Sequence, residues 1–300
     1  MLTEDEFVEQ EIALGRRVHR HDGIWWRNIS PLYCRPAFEF HSILPGTQRP
    51  RFQSSILGYS HHVPNPGQGN QTLFYYSLEG ESLRRFELKL LDPKKRNKVR
   101  QGLKFTQVRR LEQIEPYLNE MRDINVDHAR RLMGDPTFDT PYTFYLDHER
   151  QWRNQMHKRF VLERRHWWGA FLDGRLAAYM ICYQVNDLGF IDTTKSHSDF
   201  HKYRPNDALY YTVLRQFALD TGCHAVLNSQ PQREGLNRFK EEFLFRQKGL
   251  PYYNSNPRLL GLARRMLRIK QALRCRLLAV RAVAPPEGAD PAGHDEQTRQ

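Results

Sequence analysis

Cysteine is scarce in this 300-residue sequence. The four present, Cys34, Cys182, Cys223 and Cys275, are widely spaced and form no C-x-x-C pair. That excludes a disulfide framework and a thiolate zinc motif, and the thiols read as free and buried in a reducing cytosol. No run of about 18 apolar residues appears, so no membrane-spanning helix is expected. The first fifteen residues lack the positive charge of a signal peptide and carry Glu4, Asp5, Glu6, Glu9 and Glu11 instead. These absences point to a cytoplasmic protein. No internal repeat of fixed period is visible. Histidine is plentiful, but His61-His62, His19-x-His21 and His197-x-x-x-His201 are not joined to Cys or carboxylates in a ligand spacing. No metal is therefore expected.

What is present suffices for a core: 39% hydrophobic residues, with 12% aromatic. The pairs Trp25-Trp26 and Trp167-Trp168 read as core or groove wall. The net charge is +12, unevenly spread. Residues 258–283 hold seven Arg, one Lys and no acid; the tail 284–300 is net acidic at −3. The first 257 residues therefore carry +7. A moderately basic body favours anionic partners such as nucleotides, phosphates or an acidic membrane face.

Along the chain, residues 1–100 read as a strand-rich region, with aromatic stretches at Gly23–Trp26 and Thr72–Tyr76 broken by Pro and Gly clusters. A basic helix is predicted over Pro93–Lys104, with Asp92 as its N-cap. From 101 to 256 the pattern is α/β. Phe105–Arg110 reads as strand, and Glu112–Leu132 and His148–Phe160 as helices. Trp167–Leu172 and Arg175–Val185 form a hairpin about Asp173-Gly174. Phe190–Lys195 is the next strand. Asn206–Thr221 is a helix ended by Gly222, Ala225–Asn228 a short strand, Leu236–Leu244 a helix and Arg246–Tyr253 a closing strand. Residues 257–283 read as a basic amphipathic helix, packed on the body or lying on an anionic membrane surface. The segment 284–300 reads as a disordered tail.

This order resembles the GNAT acyltransferase superfamily, and more closely the subgroup of the Fem peptidyltransferases and BioF2-like acetyltransferase domains. Four stretches carry the resemblance: Lys94–Lys104, the hairpin Trp168–Ala178, Tyr203–Leu209 and Gly235–Phe243 with its Phe239-Lys240 pair. The resemblance covers about residues 94–253, half the chain. The resemblance implies a GNAT-like mixed sheet with splayed central strands. The strand-rich N-terminal region would then be a decayed GNAT half.

In such a fold an acyl donor, here acyl-CoA such as acetyl-CoA, lies between Phe190–Lys195 and Ala225–Asn228. The implied donor-binding residues are Phe190, Thr193, Thr194, Lys202, Arg204, Asn206, Asn228 and Phe239. The donor phosphates would rest on the loop Ser198–Asp207 and the helix that follows it. The sequence departs from the common pattern there. No glycine lies between Gly189 and Gly222, Pro205 removes an N–H donor, and Asp207 brings negative charge that Lys202 and Arg204 would have to offset. Asn206 and Asp207 read equally as a helix cap.

Amide formation needs a free amine and a group that stabilises the tetrahedral oxyanion. Asp192, an acid in mid-strand, is the base candidate; its alternative is an ion pair with an arginine. Lys240 is the oxyanion candidate by resemblance; its alternative is a solvated helical lysine.

The expected activity is acyl transfer from acyl-CoA to a primary amine, on a small molecule or an envelope precursor. One alternative keeps the fold and takes aminoacyl-tRNA as donor, using the basic 94–104 helix. The other is a non-catalytic GNAT-like binding protein.

Overall fold

A computed structural model describes residues 1–133 and 140–257. The expected helix at 257–283 and tail at 284–300 fall, but for residue 257, outside the described residues.

The N-terminal region holds helix α1 (Glu4–Ala13), strands β1 (Val18–His21), β2 (Ile24–Ser30), β3 (Tyr33–Pro36), β4 (Gly58–His62) and β5 (Gln71–Glu79), and the short helix α2 (Gly80–Arg84). Helix α3 (Pro93–Phe105) and strand β6 (Gln107–Arg110) follow, then helices α4 (Leu118–Arg131), α5 (Tyr142–Asp147) and α6 (Glu149–Phe160). Next come strands β7 (Arg165–Leu172), β8 (Arg175–Val185) and β9 (Leu188–Ser196), and helix α7 (Pro205–Leu219). Strand β10 (Ala225–Leu227), helix α8 (Glu234–Glu242) and strand β11 (Arg246–Asn254) complete the described chain.

The strands form an 11-stranded mixed sheet in the order β1-β2-β3-β4-β11-β5-β10-β9-β8-β7-β6. The β7–β8 hairpin turns at Asp173 (φ 48°) and Gly174 (φ 80°). Two successive positive φ values match the right-handed twist of the flanking strands, which explains the Asp-Gly signal. Strand β8 is buried from Leu176 to Cys182 and packs on both faces. Its Ala178, Met180 and Cys182 meet Leu209, Tyr210, Val213 and Leu214 of α7. Its Tyr179 and Ile181 meet Met121 and Ile124 of α4 and Trp152 of α6, with Trp167 beside them. The result is three layers, with α7 and α3 on one face and α4 to α6 on the other. On the second face, α1 and the segment after β3 pack Phe7 and Phe38 against Val185, Tyr183 and Phe190.

Helix α1 lies in the stretch read above only for its acidity. Thr3 and Glu6 close a capping box, with Thr3 N–H to Glu6 Oε2 at 2.8 Å and Glu6 N–H to Thr3 Oγ1 at 3.2 Å. Glu4, Asp5 and Glu6 belong to a capped first turn, where the helix dipole favours them. Helix α3 is capped by Asp92, which accepts from Lys95 N–H at 3.0 Å. Trp26 and Trp167 are fully buried.

Candidate active site

The site arises where two strands separate. Strand β10 runs parallel to β9 for three residues, Ala225 beside Leu188, Val226 beside Gly189 and Leu227 beside Phe190. Beyond that point β9 continues to Ser196 against β8 alone. The chain after β10 stays with β5: Asn228 N–H donates to Tyr76 O at 2.9 Å, and Tyr76 N–H to Ser229 O at 3.1 Å. Ser229 then takes a left-handed conformation, φ 48°, which turns the chain away. On the other side of the fork, the register of β8 and β9 shifts between Ile191 and Thr193, making Asp192 the extra residue of a β-bulge. The edge of β9 from Ile191 to Lys195 that faces away from β8 thus opens onto a cleft of about 500 Å³.

The cleft brings together Asp192, Thr193, Thr194, Asn206, Asn228, Phe239 and Lys240. The structure places three other expected residues elsewhere. Phe190 points to the opposite face, stacked on Tyr183 at 5.1 Å between ring centroids. Lys202 and Arg204 are exposed and do not line the cleft; the Lys202 ammonium sits 5.0 Å from the Tyr203 ring.

Lys240 is 3% exposed. Its ammonium donates to Ser229 Oγ at 2.7 Å, Gln230 O at 3.3 Å and Gln232 Oε1 at 3.3 Å, and lies 4.8 Å from the Tyr76 ring centroid. It is therefore not a solvated helical lysine. All three acceptors are neutral, and burial lowers its pKa to about 8. Asp192 forms an ion pair with Arg159 of α6 and accepts a weak bond from Thr193 Oγ1 at 3.4 Å. The ion-pair alternative is thus realised, while the carboxylate still lines the cleft.

Asn228 Nδ2 donates to Tyr210 Oη at 3.0 Å, and both residues are buried. Asn206 Nδ2 donates to Ser196 Oγ at 2.8 Å. The start of α7 offers little to a phosphate. Helix α7 begins at Pro205, one residue earlier than expected, and the N–H groups of Asp207 and Ala208 close on Arg204 O at 3.1 and 3.2 Å. Arg204 itself is left-handed, φ 60°.

The Asp207 charge is neutralised from inside the protein. Lys95 of α3 is fully buried and donates to Asp207 Oδ1 at 2.7 Å, with Glu242 Oε2 at 3.1 Å. Its ammonium also sits 3.9 Å from the ring centroid of Phe239 and 4.1 Å from that of Phe243. One cation thus joins α3, the first turn of α7 and α8. Three of the four stretches singled out in the sequence meet on it.

Sequence reasoning missed Lys195, His128 and Tyr210, all of which line the cleft. Lys195 donates to Asn125 Oδ1, and burial, reinforced by Arg159, lowers its pKa to about 8. Burial, then the charge of Lys195, lowers His128 to about 4. The signal for Lys195 was the one used for Asp192, a charge set in a strand three residues away. Among the described residues no group of His, Cys, Asp or Glu is placed to hold a metal. None of their helices is long and apolar enough to cross a membrane.

No family model and no curated protein matches the sequence. Solved structures do match. The chain is similar to FemX at 11% identity, with 86% of this chain and 92% of that one covered and a TM-score of 0.56. It is similar to the C-terminal domain of a putative lysylphosphatidylglycerol synthetase from Agrobacterium fabrum at 12% identity, covering 93% and 97%, with a TM-score of 0.54. L-PGS from Bacillus licheniformis matches at 12% identity, 93% and 98% coverage and a TM-score of 0.50. At these identities the likeness shows the fold, which is GNAT-like and of the Fem type.

Proposed function

We propose that the chain is an N-acyltransferase that moves an acyl group from acyl-CoA to a primary amine in the cleft between β9 and β10. The observation that carries this reading is Lys240: a buried ammonium with neutral acceptors, set where the two strands part. The amine nitrogen attacks the thioester carbonyl, the C–N bond forms, and the carbonyl oxygen becomes an oxyanion. That oxygen takes the place of one of the 3.3 Å contacts of Lys240, to Gln230 O or Gln232 Oε1. The charge-assisted bond is stronger to the oxyanion than to the ground-state carbonyl, which lowers the barrier. The intermediate collapses with loss of the C–S bond, and the departing thiolate takes the remaining amine proton, directly or through water, and leaves as the thiol. Asp192 accepts the proton of the incoming ammonium, directly or through water.

The test is acyl transfer by the purified chain, with acetyl-CoA and a panel of primary amines. Lys240→Ala is expected to lower kcat by about 100-fold, the scale of removing one oxyanion donor. Asp192→Asn should slow transfer without abolishing donor binding. Unchanged rates in both variants would remove this site assignment.

A second reading, aminoacyl-tRNA as donor, is favoured by the start of α7, where Pro205 has no N–H and those of Asp207 and Ala208 already bond to Arg204 O. Exposed Lys94, Arg100 and Lys104 on α3 supply a basic face nearby. The discriminating measurement is donor binding against salt. Binding of charged tRNA should weaken steeply with salt as counterions are released. Binding of acetyl-CoA that outlasts 0.5 M salt, with none of charged tRNA, decides for the thioester.

A further inference from the structure

A second cavity, of about 280 Å³, adjoins the cleft at the fork. Ile191, Asp192 and Ser229 line both, so the fork opens to two compartments. The second lies on the sheet face that α1 covers, and much of its wall comes from the N-terminal region. It is built from aromatic rings: Phe7, Phe38, Phe40, Tyr75, Tyr183 and Phe190. Phe40 sits at the centre of the group, 5.3 Å from Tyr75, 5.6 Å from Phe190 and 5.8 Å from Phe38 between centroids.

The charged residues that line it are Arg27, Glu39 and Asp192, and both carboxylates are already paired, Glu39 with Arg27 and Arg35 and Asp192 with Arg159. Glu39 is held in place: Oε1 accepts from Arg27 at 3.2 Å, with Arg35 at 3.8 Å, and Oε2 accepts from Tyr75 Oη at 3.0 Å. Its side chain is 26% exposed, which leaves lone-pair capacity for a further donor. Six aromatic rings and the unused lone pairs of Glu39 favour an organic cation with an apolar body over a carboxylate.

We infer that this cavity is the acceptor subsite, and that it takes arylalkyl primary amines, with the ring among Phe38, Phe40 and Phe190 and the amino group toward Asp192 at the fork. This rests on the acyltransferase reading for its role, but the binding claim stands apart from turnover. On this account the N-terminal region supplies acceptor specificity, while the β9–β10 cleft holds the donor. Phe190, expected on the donor side, serves the acceptor instead.

The experiment is calorimetric titration of the full chain, without any acyl donor, with 2-phenylethylamine, n-butylamine and 3-phenylpropionate. The expected order is phenylethylamine tightest, butylamine at least tenfold weaker, and phenylpropionate without measurable binding. Phe40→Ala and Glu39→Gln should each weaken phenylethylamine about tenfold. The inference is overturned if the wild-type chain does not bind phenylethylamine. It is equally overturned if the chain binds phenylpropionate as well, or if the two cavity variants bind as the wild type does. The wild-type series decides the matter even where a variant fails to fold. Amine selectivity without acyl transfer would remove the enzymatic reading alone, and transfer without that selectivity would remove this inference alone.

Discussion

The charge of Lys240 sets a pH dependence with a definite sign. Burial lowers its pKa to about 8, so the ammonium is present at neutral pH and is lost as pH rises through that value. The donor-saturated rate should therefore fall on the alkaline side with an apparent pKa near 8. Lys240→Arg keeps a cation that does not deprotonate in this range, so the limb should vanish even where the absolute rate is lower. A limb that persists unchanged in the arginine variant assigns it to another group, with Lys195 the next candidate. Lys95 predicts a different effect. Its removal in Lys95→Met leaves the buried Asp207 without its cation, while half-buried Glu242 keeps Lys98 at 3.1 Å. Breaking one partner of such a pair costs about 3–5 kcal/mol. Chemical denaturation should show a loss of that size, and Lys95→Met with Asp207→Asn should recover part of it.

The fork belongs to the level of elements, and it has a local cause. Asn228 and Ser229 bond to Tyr76 of β5 and so leave β9 behind, while the bulge at Asp192 bends β9 away. Helix α3 is held against the first turn of α7 with almost no space between them. A Cβ at Gly102 would lie 2.6 Å from Arg204 O and 3.1 Å from Ala208 N. Gly102→Ala should push the two helices apart, at about 1–3 kcal/mol for an overpacked contact. The same substitution should lower donor affinity, since Asn206 lies in the displaced turn; a shift in melting temperature with unchanged donor Kd would separate packing from site geometry. Most elements were legible because their signals are local: Asp173-Gly174 for the hairpin and Asp92-Pro93 for the start of α3; the expected stop at Gly222 was not, since α7 ends at Leu219 on an extended Asp220. The bulge at Asp192, the left-handed Arg204 and the Lys95 pairing were not. They depend on which segments meet across the fold, and no spacing within a segment encodes that.

At the scale of the molecule, the last described strand lies inside the sheet begun by the first residues. Strand β11 pairs with β5 from Arg246 beside Ser77 to Tyr252 beside Gln71, and with β4 through Tyr252 to Asn254. The sequence showed β11 as a closing strand, yet not that it closes between β4 and β5, because the partners are far apart along the chain. The candidate site was legible in the same partial way. Asp192, Asn228, Phe239 and Lys240, named from the sequence, line one cleft, whereas the aromatic cavity of Phe38, Phe40 and Phe190 had no motif to announce it. The shared sheet predicts one cooperative unfolding transition. A variant retaining only Trp26 and a variant retaining only Trp167 should give the same urea midpoint, after allowance for each variant's own stability by circular dichroism. Separate midpoints for fluorescence and circular dichroism in either variant would show two independently stable units.

Occupancy of the fork decides the rest. The direct measurement is a crystal structure with S-acetonyl-coenzyme A, a donor mimic whose carbonyl cannot be transferred. The carbonyl is expected between Asp192 of β9 and Asn228 after β10, with its oxygen within hydrogen-bond distance of Lys240 Nζ. Density for the mimic elsewhere on the molecule, with Lys240 still bound to Ser229, Gln230 and Gln232, would contradict the account.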